Sequence, residues 1–223
     1  MNCWRCQRDI DAATDVCEDC KKDITRISKL SDEIQRCKKC SLNEQIQEKV
    51  SGRGFWAAKV LFIGEAPGRH EDEEGRPFVG AAGHVLDLLI SVTVLKPKDY
   101  YITNVLKCRP PGNRKPTPQE CEACSDFLKA EIKIIKPKII VPLGLVATQN
   151  VLNLFDIKED IRRMADLRGS VFYTKDNIVI LPTYHPAAII YDGTLMDSAK
   201  ADFVLLSKIV EGKYENAKRK TSN

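Results

Sequence analysis

The sequence opens MNCWRCQRD, and nothing in that start resembles the apolar stretch of a signal peptide. Its longest apolar run, Val85 to Leu95, is broken by Asp87 and falls short of the roughly 20 residues a membrane helix needs. These two absences argue against secretion and membrane spanning, so a cytoplasmic chain is expected. There is no internal repeat and no low-complexity tract. Basic side chains exceed acidic ones by only four, too few to establish a nucleic-acid partner from the sum, so the distribution of charge carries more weight. The nine cysteines are an odd number, which excludes a complete set of disulfides. In a reducing compartment, clustered cysteines more often bind metal. What is present is a 43% hydrophobic fraction able to bury a core and 223 residues, enough for one full domain and a small extra module.

From Lys59 onward the pattern alternates between strand and helix. KVLFIG (59–64), YYITNVLK (100–107), KIIVPLG (138–144), SVFYT and NIVILPTYHP read as strands. Helices are expected around Ala82–Val94, over 118–136, over LVATQNVLNLF and near the C-terminus. Ile24, Ile27, Leu30 and Ile34 recur at helical spacing and predict a short amphipathic helix before the first strand. The alternation predicts an α/β fold in three α/β/α layers around a mostly parallel sheet. Ligands in such sheets bind beyond the carboxyl ends of the strands, where the loops GEAPG, CRPPGN and YHPAA begin.

Cys3, Cys6, Cys17 and Cys20 form C-x2-C-x10-C-x2-C, the spacing of a zinc ribbon. Four thiolates at about 2.3 Å would close a tetrahedral structural zinc site. Residues 1–24 are thus expected to form a small zinc-binding module and 25–223 the main domain. The module carries four basic against six acidic side chains, a balance that suits a protein contact better than phosphate. Cys37 and Cys40 form a third C-x2-C, to be joined by Cys108 and either Cys121 or Cys124; zinc and an iron–sulfur cluster both suit such thiolates.

The C-x2-C pair is followed in order by GEAPG-x2-ED (64–72), GRPFVGAAG (75–83), YITNVLKCRPPGNR (101–114), Cys124, KIIVPLG and YHPAA (184–188). In these motifs, from about Cys37 to Tyr191, the chain resembles the family 4 uracil-DNA glycosylases, the iron–sulfur type of archaea and thermophilic bacteria. The resemblance assigns Cys37, Cys40, Cys108 and Cys124 to a structural [4Fe–4S] cluster, because fifteen residues separate the last two, as in the family. The N-terminal cysteine module departs from the family core, and in the matching GEAPG loop Ala66 stands where the better-known uracil glycosylases carry an aspartate.

The implied reaction is hydrolysis of the N-glycosidic bond of uracil in DNA, on a nucleotide flipped out of the duplex. Phe78 would stack on the base, an interaction worth roughly 1–3 kcal/mol. The amide of Asn104 offers the acceptor and donors that match uracil N3–H and O4 and oppose cytosine. His185, as a neutral imidazole, would donate to uracil O2 as negative charge develops. Glu65 and Glu71 are the candidates for orienting water or stabilising the sugar cation, with Glu71 also placed to crowd the uracil C5 position. Asn113 is a secondary pocket residue. His70 and His84 read as solvated side chains.

Residues 104–118 hold Lys107, Arg109, Arg114 and Lys115 with no acid, a basic loop expected to grip phosphates beside the pocket. The expected partners are uracil-containing DNA and, through the N-terminal module, a repair or replication protein; the chain is expected to be a monomer. The competing readings are a non-catalytic DNA-binding or repair-scaffold protein on the same fold and a glycosylase for other deaminated bases.

Overall fold

A computed structural model describes residues 17–160 and 162–214, and the backbone of 220–221. Seven strands make one sheet: β1 (Arg53–Gly54), β2 (Val60–Gly64), β3 (Tyr100–Asn104), β4 (Ile139–Pro142), β5 (Phe172–Tyr173), β6 (Val179–Ile180) and β7 (Lys220–Thr221). Their order across the sheet is β1-β3-β2-β4-β6-β5-β7. The inner four run parallel, β1 is antiparallel at one edge, β5 is antiparallel to β6, and β7 joins β5 in parallel. Every residue of β2 and β4 is buried, as expected of strands covered on both faces.

The helices are α1 (Glu18–Gln35), α2 (Arg69–Glu74), α3 (Ala81–Ser91), α4 (Pro118–Ile135), α5 (Leu145–Leu154), α6 (Met164–Leu167), α7 (Pro186–Tyr191) and α8 (Met196–Val210). Successive residues of a strand point to opposite faces, and β2 uses this to serve two cores. Leu61 and Ile63 pack with Ile34 of α1, Leu128 of α4 and Val151 of α5. Val60 and Phe62 pack on the other side with Leu86 of α3, Ile189 of α7 and Phe203 of α8. The Phe62 and Phe203 rings stack at 5.8 Å. The result is the three-layer α/β/α arrangement that the alternation of patterns predicts.

Local chemistry sets the ends of α4. The Thr117 hydroxyl accepts from the Glu120 N–H while the Glu120 carboxylate accepts from the Thr117 N–H, a reciprocal cap with Pro118 in the first turn. Lys136, in the left-handed conformation at φ 51°, ends the helix. The predicted helix around Ile24–Ile34 is α1, which begins at Glu18 and passes unbroken through residue 24. Cys17 precedes it at the N-cap and Cys20 is buried in its first turn. Cys3 and Cys6 lie outside the described residues, and the zinc module predicted for 1–24 lies largely there with them.

From β2 the chain crosses to β3 on one side and then returns past β2 to β4 on the other. This reversal opens a crevice at the carboxyl end of β2, the usual ligand position of an open parallel sheet. The register pairs Gly64 with Asn104, and a parallel bridge joins Leu143 to Thr183. Glu65, Asn104, Gly144 and His185 therefore emerge at the same end.

Candidate active site

A cavity of about 530 Å³ occupies that end, and its lining contains Glu65, Glu71, Phe78, Asn104, Asn113 and His185, together with Arg114, Lys115 and Tyr191. Three loops distant in sequence thus meet as the motifs require. His70 and His84 are exposed and outside it.

Asn104 is 2% exposed, and its Oδ1 finds no hydrogen-bond partner among the described residues. A buried acceptor left unpaired costs about 1–3 kcal/mol, so a native structure that keeps one usually has a use for it. Phe78 is buried against the cavity with its ring 5.8 Å from the His185 imidazole and tilted by 30°. Its backbone sits at φ 53°, a conformation that costs a non-glycine residue about 1–3 kcal/mol. Two side chains hold it there. Arg53 donates to the carbonyls of Pro77 and Phe78, at 2.8 and 3.2 Å. Glu71 accepts from the N–H groups of Val79 and Gly80, both at 2.9 Å, and from that of Gly68 at 3.0 Å. Both oxygens of Glu71 are therefore occupied by backbone donors, which makes it a clamp on two loops. Glu65 carries no such load. Burial pushes its carboxyl up, with the nearby charge of Lys115 opposing that shift.

His185 starts α7, and its Nδ1 accepts from the N–H of Ala187 at 3.1 Å. A neutral imidazole that accepts at Nδ1 carries its proton on Nε2, which is left as the donor. Burial pushes the His185 pKa down to about 4, with Glu71 working in the opposite direction. Two features support the loop from behind. Gly144 adopts φ 85°, and a Cβ there would lie 2.9 Å from the Cβ of His185. The Thr183 hydroxyl donates at 2.7 Å to Asp202 of α8, whose carboxylate also takes both Nε and Nη2 of Arg168.

The basic loop differs from its expected form. Lys107 is 1% exposed and forms a 2.7 Å ion pair with Glu131, itself 1% exposed. Buried and paired in this way, it does not take part in the phosphate grip expected of the basic loop. Arg114 is held by Glu120, whose carboxyl that guanidinium brings down to about 2. Arg109 donates to Asn113 Oδ1 at 2.7 Å and lies 3.9 Å from Asp72. Lys115 forms no ion pair among the described residues and lines the cavity.

Cys37, Cys40, Cys108 and Cys124 line a second, small cavity with Ile34 and Phe127. Burial pushes the Cys108 thiol up to about 12, and Cys124, Cys40 and Cys37 add to the shift. Such a concentration of thiols suits a cationic centre. No group of three ligating side chains among the described residues is set to hold a single metal ion. Four thiolates fit an iron–sulfur cluster, and such donors also suit zinc. Cys121, buried on α4, lines neither cavity.

Residues 52–205 match the family described as the Uracil DNA glycosylase superfamily. The chain belongs to that superfamily. A type-4 uracil-DNA glycosylase of Archaeoglobus fulgidus is 41% identical over 180 residues, covering 79% of this chain and 89% of that protein. One from Sulfurisphaera tokodaii is 42% identical over 181 residues, 79% of this chain and 81% of its own length. A bacterial relative, the type-4 uracil-DNA glycosylase of Thermotoga maritima, is 38% identical over 72% of this chain and 81% of its own. Among the described residues of this superfamily member, no helix is long and apolar enough to cross a membrane.

Sequence reasoning missed Arg53, Glu131 and Gly144. Glu131 left a signal: it occupies the same helical stripe as Phe127, Leu128 and Ile135, where an apolar residue is expected. Gly144 closes the strand motif KIIVPLG, and Arg53 carries no sequence signal at all.

Proposed function

We propose that the chain is a monofunctional uracil-DNA glycosylase, which hydrolyses the bond between uracil and deoxyribose and leaves an abasic site. The observation that carries this reading is the unpaired, buried Oδ1 of Asn104, on the wall of a cavity shared with an aromatic ring and a neutral histidine. Uracil entering this cavity supplies the missing donor through N3–H, stacks on Phe78, and receives the Nε2–H of His185 at O2. That donor stabilises the departing anion, and groups aimed in this way contribute about 3 kcal/mol or more to such steps. Glu65, free of backbone donors, faces the sugar side and orients water or offsets the developing cation. Glu71 shapes the pocket by fixing the loop that carries Phe78. Lys115, Arg114 and Arg109 supply the contacts to flanking phosphates, and Asn113 completes the wall.

Cys37, Cys40, Cys108 and Cys124 would hold a [4Fe–4S] cluster, which fastens the start of the basic loop to α4 and the segment after α1; base excision contains no redox step for it. Cys3, Cys6, Cys17 and Cys20 are retained as a zinc set on their spacing, with a repair or replication protein as the module's partner. The protein acts as a cytoplasmic monomer. The test incubates the purified protein with uracil-containing single- and double-stranded oligonucleotides, then cleaves abasic sites with alkali. Strand breaks are expected with uracil and absent with cytosine or thymine at the same position. No breaks with either uracil substrate would overturn the reading. Metal analysis should give about four iron and one zinc per chain, with visible absorbance from the cluster.

A further inference from the structure

The buried pair that left the DNA-binding loop has a place beside the base reader. The Nζ of Lys107 donates to Thr103 Oγ1 at 2.6 Å, to Glu131 Oε2 at 2.7 Å and to the backbone carbonyl of Asn104 at 2.9 Å. An ammonium has three protons, and all three are used. Thr103 in turn lies 3.1 and 3.0 Å from the two Glu131 oxygens, and donates its hydroxyl proton to that carboxylate. All four residues are 2% exposed or less.

The location gives this network its consequence. β3 ends at Asn104, and the next two N–H groups, of Val105 and Leu106, still donate across to Gly64 and Glu65 at 2.9 and 3.0 Å. The Asn104 carbonyl closes no such ladder bond; its donor is the side chain of Lys107, folded back over three residues. Without that donor it becomes a second unpaired buried acceptor beside Oδ1, and the peptide that sets the direction of the Asn104 side chain loses its fastening. A base-reading amide must be held within a fraction of an ångström to discriminate. We infer that Lys107, with Glu131 and Thr103, is a positioning residue that fixes Asn104 for reading the uracil edge.

This inference rests on the uracil-excision reading, and the experiment separates the two. Lys107→Met with Glu131→Gln removes both charges together, so no buried ion is left unpaired, and the glutamine still serves Thr103. Single-turnover excision is measured in a double-mutant cycle with Asn104→Ala. The paired substitution should lower kcat/KM about 10²-fold when Asn104 is present, the loss expected of an ångström-scale misplacement. In the Asn104→Ala background it should cost no more than about threefold, since there is no longer an amide to misplace. Product inhibition by free uracil should weaken in step with the first of these losses. Equal losses in both backgrounds would show a general structural role and overturn the inference, while leaving the glycosylase reading intact. A wild-type chain that fails to excise uracil would remove both. Should the paired variant not fold, Thr103→Val removes the central hydroxyl and enters the same cycle, with the same two outcomes.

Discussion

Asn104→Ala separates a residue kept for function from one kept for packing. In the free protein the Oδ1 of Asn104 is buried and without a partner, at a cost of about 1–3 kcal/mol. Truncation removes that cost and little apolar contact. At about 2–4 °C per kcal/mol for a chain of this size, Tm should stay level or rise by a few degrees. Activity should move the other way. The substitution deletes an acceptor for N3–H and a donor for O4, each worth about 0.5–1.5 kcal/mol net, and leaves base atoms without partners in a dry site. Together these sum to about 2–4 kcal/mol, or about 30- to 1000-fold in the single-turnover rate at about 1.4 kcal/mol per tenfold. The assay follows strand breaks from a uracil oligonucleotide under enzyme excess, beside thermal unfolding of the same preparation. A fall in Tm of more than about 4 °C with the excision rate retained would refute the reasoning, because Asn104 would then be an ordinary structural amide.

The neutral state of His185 is directly observable: its nitrogen NMR signals should report an Nε2–H tautomer from neutral pH down to nearly 4, and a midpoint at the ordinary 6.5 would contradict it. Since the unfolded chain takes up that proton near 6.5 and the folded one only near 4, stability should fall as pH drops through this window. Gly144→Ala places a Cβ 2.9 Å from that of His185 and forces φ 85° on an L-residue; about 1–3 kcal/mol of stability and about 10²-fold in rate should be lost, and full activity would dismiss the close approach. Lys115→Ala should weaken DNA binding at every sequence and reduce the slope of log K against log salt by about one, whereas Lys107→Met should leave the slope unchanged. The Glu120 carboxyl, at about 2 in the fold against 4.5 otherwise, lends stability above pH 4.5 that disappears on acidification toward 2. Arg114→Ala should therefore lower Tm at pH 7 and converge with the parent near pH 2; parallel curves would exclude the pairing as its origin.

The sheet is readable because its inner strands are short, mostly apolar runs leading into glycine- or proline-containing loops, and the site because its motifs start where those strands stop. KVLFIG and KIIVPLG correspond to β2 and β4 within a residue or two at each end. The short elements were not readable. Residues 69–74, RHEDEE, form α2 although their composition suggests a charged loop, because Glu71 reaches back to the Gly68 N–H and fixes the first turn. YHPAA reads as a loop, yet Pro186 begins α7 and His185 caps it. Roles within the site were legible as residue types and not as partners. A glutamate in a polar loop gives no sign that three backbone donors will occupy it, and a lysine between strand and loop gives no sign that it turns inward. Tertiary partners decide both.

The charge count also changes meaning once those partners are known. A run of four cations without an acid suggests a strong electrostatic grip, but the fold supplies acids from elsewhere: Glu131 to Lys107, Glu120 to Arg114 and, at longer range, Asp72 to Arg109. These pairs offset the charge of the loop, and of their six residues only Arg114 lines the cavity. Of the four cations, Lys115 alone forms no ion pair among the described residues, and it lines the cavity. A loop with one unpaired cation adds little sequence-independent affinity through counterion release, so on the proposed reading preference comes from what the pocket accepts. On that reading the burden falls on Asn104, whose unpaired Oδ1 would be satisfied by a base carrying an N3 proton and opposed by one carrying an N3 lone pair. Discrimination would then be a hydrogen-bond demand placed on the flipped base.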